Sequence, residues 1–194
     1  MRGLEQIPWL YDAGMAVYDR LGFRRWREWL ARGARGRILE VGCGTGRNLP
    51  LYRGTEVVAV DPELEALRAA RRRAPGVPLV VARAEALPFR DGAFDTVVSG
   101  LVFCSVHDPR GGLAEVRRVL ASEGALRMVE HVRSESPLAA RVQDLLQPAW
   151  TAVAGGCHPN RDTERTVTEA GFRIEADARR DGTMRRFSAR PRSA

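Results

Sequence analysis

The chain has 194 residues, 44% of them hydrophobic, and a formal net charge of +7. That length can bury one sizeable core, so a single domain over residues 1–194 is expected. No run approaches about twenty uninterrupted apolar residues, and the N-terminus lacks a charged-then-apolar order, which argues against a helical membrane protein or an exported precursor and for the cytoplasm.

The positive charge is carried by arginines spread along the chain, with short clusters at Arg24-Arg25, Arg71-Arg72-Arg73 and Arg185-Arg186. No basic run is interleaved with aromatic residues of the kind that stacks bases, so nucleic acid is not expected as a partner. A GC-rich coding bias accounts more simply for the arginines, although steering of acidic substrates stays open. Cys43, Cys104 and Cys157 are odd in number and lack metal-ligand spacing. Free thiols in a reducing compartment follow, with neither a disulfide framework nor a metal site.

In chain order, residues 1–36 are predicted to form cap helices rich in apolar and aromatic residues, among them Trp9, Leu10, Tyr11, Met15, Tyr18, Phe23, Trp26 and Trp29. Ile38, Leu39 and Val41 then read as a buried strand. It leads into Glu40-Val41-Gly42-Cys43-Gly44-Thr45-Gly46, where three glycines at alternate positions let the main chain turn tightly and approach a ligand closely. A helix is expected to start near Gly46. A dinucleotide fingerprint would place its third glycine one position later, where this chain has Arg47. The spacing therefore argues against NAD or FAD, and Glu40 argues for a headgroup bearing an ammonium and a sulfonium. Val57 to Val60 forms a second strand ending in Asp61, roughly twenty residues after Glu40, where nucleotide-binding units place an acid on the ribose. Asp61-Pro62-Glu63 also reads as a helix start.

A helix from Glu63 to about Ala74, a strand at Leu79-Val80-Val81, and a strand from Phe94 to Ser99 follow. A helix carrying Leu113, Val116, Val119 and Leu120 precedes the strand Ala125 to Val129. Residues 137–165 form a further helical segment in which Leu138, Val142, Leu145, Leu146, Ala149, Trp150 and Val153 recur at helical spacing, with Pro148 expected to bend it. This stripe reads either as core packing or as an apolar acceptor channel or membrane-touching face. Phe172 to Ala176 and Met184 to Ala189 flank Asp181-Gly182 as a hairpin. The alternation predicts an α/β, doubly wound, mostly parallel sheet with an antiparallel C-terminal edge. Ligands bind such sheets at the carboxyl ends of the strands, so Glu40, Asp61, Ala84, Glu85, Ser99, Gly100, Leu101, Glu130 and His131 should face one crevice.

Glu40 to Gly46, Val60-Asp61-Pro62, Ala84 to Phe89, Phe94-Asp95, Arg118-Val119-Leu120 and Gly171-Phe172 together resemble the class I S-adenosylmethionine-dependent methyltransferases of the type 11 group. The resemblance implies a seven-stranded, Rossmann-like sheet and S-adenosylmethionine as cofactor. Glu40, Gly42, Cys43, Gly44, Gly46 and Asn48 would surround the methionine part, with Tyr18 capping it. Asp61 and Pro62 would lie at the ribose, Ala84 and Glu85 near adenine, and Ser99, Gly100 and Leu101 at the amino group. Arg83 stands where many relatives carry Asp. Leu101 to Val106, Val129 to Val132, Gln147 to Trp150 and Gly156-Cys157-His158 with Arg161-Asp162-Thr163 are similar to the alkyl thiol methyltransferase branch of that group.

A methyl acceptor must be held in line at about 3–3.5 Å, and such positioning can supply roughly 7–11 kcal/mol. A thiol with a pKa near 8.5 then needs little further activation. His131 is the candidate base, with a structural pairing to Glu130 as the alternative; His107 reads as a loop residue and Cys157-His158 as pocket wall. The expected partner is a small, lipophilic acceptor such as a thiol, with peripheral membrane contact open. A phospholipid headgroup or quinone precursor is the alternative acceptor, and a non-catalytic protein that holds the cofactor or RNA the remote one.

Overall fold

The computed structural model describes residues 7–154 and 156–192; residues 1–6, Gly155 and residues 193–194, which the sequence reading included in its segments, lie outside the described residues. The chain opens with α1 (Pro8–Tyr18), a π-helical turn over Asp19–Phe23 and α2 (Arg24–Gly33), followed by β1 (Arg37–Val41), β2 (Glu56–Asp61), α3 (Leu64–Arg73), β3 (Leu79–Val81) and β4 (Phe94–Gly100). The second half contains α4 (Pro109–Val119), β5 (Leu120–His131), α5 (Pro137–Val153), α6 (Thr163–Glu169), β6 (Phe172–Ile174), β7 (Arg179–Asp181) and β8 (Met184–Pro191). Among the described residues the eight strands form one sheet in the order β3-β2-β1-β4-β5-β8-β6, with β7 also paired to β8.

The first five strands are parallel, β1 lying between β2 and β4, while β8 runs antiparallel to β5. β8 pairs with β7 near Met184 and with β6 near Pro191 along the same edge, so the eight strands fill seven positions. The tight turn at Asp181-Gly182 therefore joins β7 to β8, whereas the sequence pattern predicts a hairpin of β6 with β8. The Glu175 amide still donates to the Ser188 carbonyl at 2.8 Å, residues 176–178 leave the ladder, and the Ala178 amide closes a turn on the Glu175 carbonyl.

Alternate strand residues feed two cores. Leu39, Val41 and Val97 face Leu113, Val116 and Val167 from α4 and α6. Ile38, Ala59 and Val98 face Leu30, Leu67 and Ala70 from α2 and α3. Helices on both faces make the sheet doubly wound, and each fully buried Leu, Ile or Val contributes about 1.5–3 kcal/mol. Capping fixes where α4 and α6 begin. Asp108 accepts from the amides of Arg110 and Gly111, both at 3.1 Å, and Asp162 from Arg165 at 3.1 Å.

Two expectations are corrected here. No α-helix starts at Gly46. Gly44 and Gly46 are left-handed (φ 53° and 77°), and the chain makes only a 3-10 turn over Leu49–Leu51 that contains Pro50. The stripe on α5 is not core packing: Leu138, Leu145 and Leu146 are 73%, 79% and 57% exposed, and among the side chains of this helix that are described, which leave out Val153, Ala140 is the buried one. α5 is continuous through Pro148.

Candidate active site

A cavity of about 930 Å³ opens at the carboxyl ends of β1, β2, β4 and β5, roofed by α1 and flanked by α5. Its volume lies in the range typical of small-molecule sites. Gly42, Gly44, Asp61, Pro62, Ala84, Glu85, Gly100, Leu101, His131 and Tyr18 line it, as do Cys104, Cys157 and Trp150. Glu40, Cys43, Gly46, Asn48 and Ser99 stand behind this lining, with Glu40 and Ser99 at 1% and 0% exposure.

The glycine loop is braced from β2. Asp61 Oδ2 accepts from the Gly44 amide at 2.8 Å and Oδ1 from the Glu63 amide at 2.9 Å. Each carboxylate oxygen retains a free lone pair, so bracing the loop and receiving hydroxyl groups are compatible. Burial pushes the Asp61 carboxyl up, opposed by these two amides. A Cβ at Gly44 would meet no atom within 4 Å, whereas one at Gly42 would collide with Val102. Leu101, the non-glycine residue with positive φ (61°) among the described residues, donates its N–H to the Val129 carbonyl at 2.7 Å. A left-handed non-glycine residue costs roughly 1–2 kcal/mol and here shapes a cavity wall.

Glu40 does not face the cavity. Asn48 Nδ2 donates to its Oε1 at 2.9 Å, and Asn48 Oδ1 in turn accepts from Arg27 at 2.9 Å. Burial pushes the Glu40 carboxyl up to about 7, with Tyr52, Asn48 and Arg27 acting in the opposite direction. Arg27 also reaches Asp19 at 2.9 Å, and Arg47 reaches the same carboxylate at 2.5 Å. Asp12 on α1 accepts from Thr45 at 2.7 Å and from Arg73 at 2.7 Å. These contacts fasten α1 over the glycine loop. They also give Arg73 of the arginine triplet an intramolecular partner, as stacking over Trp26 and Trp29 does for Arg186. Charged side chains carry no apolar periodicity, so this network left no signal in the sequence.

Glu130 and His131 separate in function. Glu130, fully buried, accepts from Ser99 Oγ at 3.2 Å and from the amides of Val102, Phe103 and Cys104 at 3.0, 3.0 and 3.2 Å. It thereby shapes the turn after β4. His131 instead sits in the cavity wall, with Nδ1 3.9 Å from Cys157 Sγ. Cys104 joins them, the three ligand-type atoms lying within 4.8 Å of one another. The Cys157 thiol is held below the ordinary thiol value, first by its hydrogen bond with the Cys104 thiol and then by His131 and Trp150, while burial opposes. Cys104 is pushed up by the same bond and by burial. The absence of metal-ligand spacing along the chain thus did not keep these side chains apart. Of the other histidines, His107 lines the rim, and His158 bonds its own loop at the Gly156 carbonyl at 2.6 Å.

The methyltransferase domain family matches residues 39–128, the stretch that carries the glycine loop, Asp61 and the turn after β4. With its sheet and cavity, the chain belongs to the class I S-adenosylmethionine-dependent methyltransferases of the type 11 group, whose cofactor is S-adenosylmethionine. Within that group it falls in the branch of the thiol S-methyltransferases. It is 35% identical to human thiol S-methyltransferase TMT1A over 172 residues, covering 84% of this chain and 70% of that protein. It is 38% identical to rat thiol S-methyltransferase TMT1B over 144 residues, covering 70% of this chain and 59% of that protein. The chain thus spans under two thirds of the rat relative's length. Demethylmenaquinone methyltransferase of Renibacterium salmoninarum is 34% identical over 126 residues, covering 62% and 53%. In fold, the chain resembles a Thermotoga maritima S-adenosylmethionine-dependent methyltransferase with a TM-score of 0.72 at 21% identity, covering 96% of this chain and 98% of that one.

Proposed function

We propose that this chain transfers the methyl group of S-adenosylmethionine to the sulfur of a small, lipophilic thiol. The carrying observation is one cavity lined by two chemically different groups of residues: Gly42, Gly44 and Asp61 in one, and His131, Cys104, Cys157 and Trp150 in the other.

S-adenosylmethionine supplies an electrophilic methyl carbon on a sulfonium. The glycine loop allows close main-chain approach, and no α-helix begins at Gly46 directly after it, which suits a cationic headgroup better than phosphates. Asp61 would receive the ribose hydroxyls, Pro62, Ala84 and Glu85 would flank the nucleoside, and Gly100 and Leu101 the amino group. Glu40, Cys43, Gly46, Asn48 and Ser99 would support these positions from behind, and Tyr18 would cover them. His131 is the imidazole beside the acceptor end and would take the acceptor's proton. For a thiol that step is small, because a few per cent is ionised at neutral pH.

Residues 1–36 would act as a cap and residues 137–165 as the acceptor-side segment of one domain. Exposed Leu138, Leu145, Leu146 and Trp150 on α5, with Trp9 and Leu21 near α1, support peripheral membrane contact during delivery of a lipophilic acceptor. No helix among the described residues is long and apolar enough to cross a membrane. Three free thiols support a reducing compartment, the cytoplasm. The likeness to a demethylmenaquinone methyltransferase supports a quinone precursor as the second reading.

The test is transfer of labelled methyl from S-adenosylmethionine to alkyl thiols, phenolic quinone precursors, phospholipid vesicles and RNA. Label on the thiol at the highest kcat/KM is expected. Preferred transfer to the phenol selects the second reading, and cofactor binding with no transfer to any class makes the chain a binding protein.

A further inference from the structure

We infer that Cys104, His131 and Cys157 bind a zinc ion, or a like soft divalent cation, whose open fourth position takes the acceptor sulfur as a thiolate. The inference rests on the thiol reading above for its acceptor, but the ion site stands on geometry of its own.

The three ligands come from distant parts of the chain. Cys104 lies in the turn after β4, His131 ends β5, and Cys157 follows α5. Their ligand atoms nevertheless lie within 4.8 Å of one another, and His131 Nδ1 is 3.9 Å from Cys157 Sγ. Zinc with sulfur at about 2.3 Å and nitrogen at about 2.0 Å in a tetrahedron sets such atoms about 3.5–3.8 Å apart, so closure requires only side-chain adjustment.

The backbone around the ligands is fixed independently. The Cys104 amide is held by Glu130 at 3.2 Å, and the Cys104 carbonyl accepts from the His158 amide at 2.8 Å, joining the two cysteine loops directly. The Cys157 carbonyl accepts from Thr151 Oγ1 at 3.0 Å. Both thiols are buried, yet both residues and His131 line the cavity. Two cysteines and one histidine are a ligand set for zinc that leaves one position for water or substrate, and that position opens here into the acceptor end.

The chemistry then balances simply. The acceptor thiol would lose its proton to solvent as its sulfur enters the open position, since a coordinated thiol is deprotonated. A sulfur electron pair forms the bond to the methyl carbon, and the carbon–sulfonium bond breaks with its pair left on the cofactor sulfur. A positive sulfonium and a thiolate become two neutral thioethers, and a thioether is the weaker ligand and leaves. With the ion bound, His131 serves as a ligand and the proton goes to solvent, so the ion takes over the activating role that His131 would have as a base in its absence.

The test begins on reduced, metal-free full-length chain titrated with Co²⁺ in the absence of acceptor. One ion per chain is expected, with thiolate-to-cobalt charge-transfer absorption and the visible bands of tetrahedral cobalt. Cys104→Ser and Cys157→Ser should each weaken binding by about a hundredfold or more, His131→Ala should weaken it as well, and Cys43→Ser should leave the spectrum unchanged. No charge-transfer absorption, or a spectrum that survives in the Cys104→Ser, Cys157→Ser double variant, overturns the site. An alkyl thiol is then added to the cobalt form. A shift of the visible bands supports acceptor ligation. An unshifted spectrum defeats the thiol step while the ion site stands, and thiol methylation undiminished in the metal-free chain defeats the ion's role while the thiol reading stands.

Discussion

The Gly44 amide donates to Asp61 Oδ2 at 2.8 Å, tying the loop that follows β1 to the end of β2. One carboxylate thus shapes the loop and faces the cavity beside it. Asp61→Ala should weaken S-adenosylhomocysteine binding by about tenfold or more, since each hydrogen bond to a charged group is worth roughly 1.5–3 kcal/mol. Calorimetry on the variant checks this. A lowered Tm with unchanged affinity would show that Asp61 only braces the loop.

The glycines at positions 42 and 44 should fail differently. Gly44 has φ 53° with no atom within 4 Å of a built Cβ, so Gly44→Ala adds about 1–2 kcal/mol of backbone strain and a methyl group beside the cavity. Gly42→Ala drives a methyl into Val102. The expected result is a larger loss of cofactor affinity than of stability for Gly44→Ala, and a larger loss of Tm without ligand for Gly42→Ala. Equal effects on both readouts for the two variants would count against the placement of the loop.

Glu40 carries the pH prediction. Its carboxyl titrates at about 7 in the folded chain against an ordinary value of 4.5, because burial penalises the charged form. The folded state therefore holds a proton that the unfolded state has lost between those two values. Stability should fall as pH rises through that window, by up to about 1.4 kcal/mol per pH unit, and level off above about 7. In Glu40→Gln this loss is absent, so the variant should gain on the wild type as pH rises from 5 to 8 in urea unfolding. Parallel profiles would mean that Asn48 and Arg27 already keep Glu40 ionised.

The sequence by itself determined the alternation of strands and helices from β1 to β5, apart from the helix expected near Gly46, together with the doubly wound sheet, the position of the turn at Gly182 and the glycine loop with Asp61 beyond it. Each is written in local terms: apolar period, a glycine where φ is positive, an acid at a strand end. It also carried the cofactor. The tertiary structure decided what rests on contacts between residues far apart in the chain. Glu130, adjacent to His131, holds the amides of Val102, Phe103 and Cys104 in the turn that follows the neighbouring strand β4. The periodic apolar stripe of α5 reads as core or as an outward-facing channel or membrane face, because periodicity cannot say which neighbour covers it, and Leu138, Leu145 and Leu146 are left exposed. Cys104 and Cys157 read as unrelated thiols because their separation along the chain matches no ligand motif. Parallel strand order and the return of the loop after α5 bring them beside His131, and that meeting depends on the path of the whole chain, which no short window of sequence encodes.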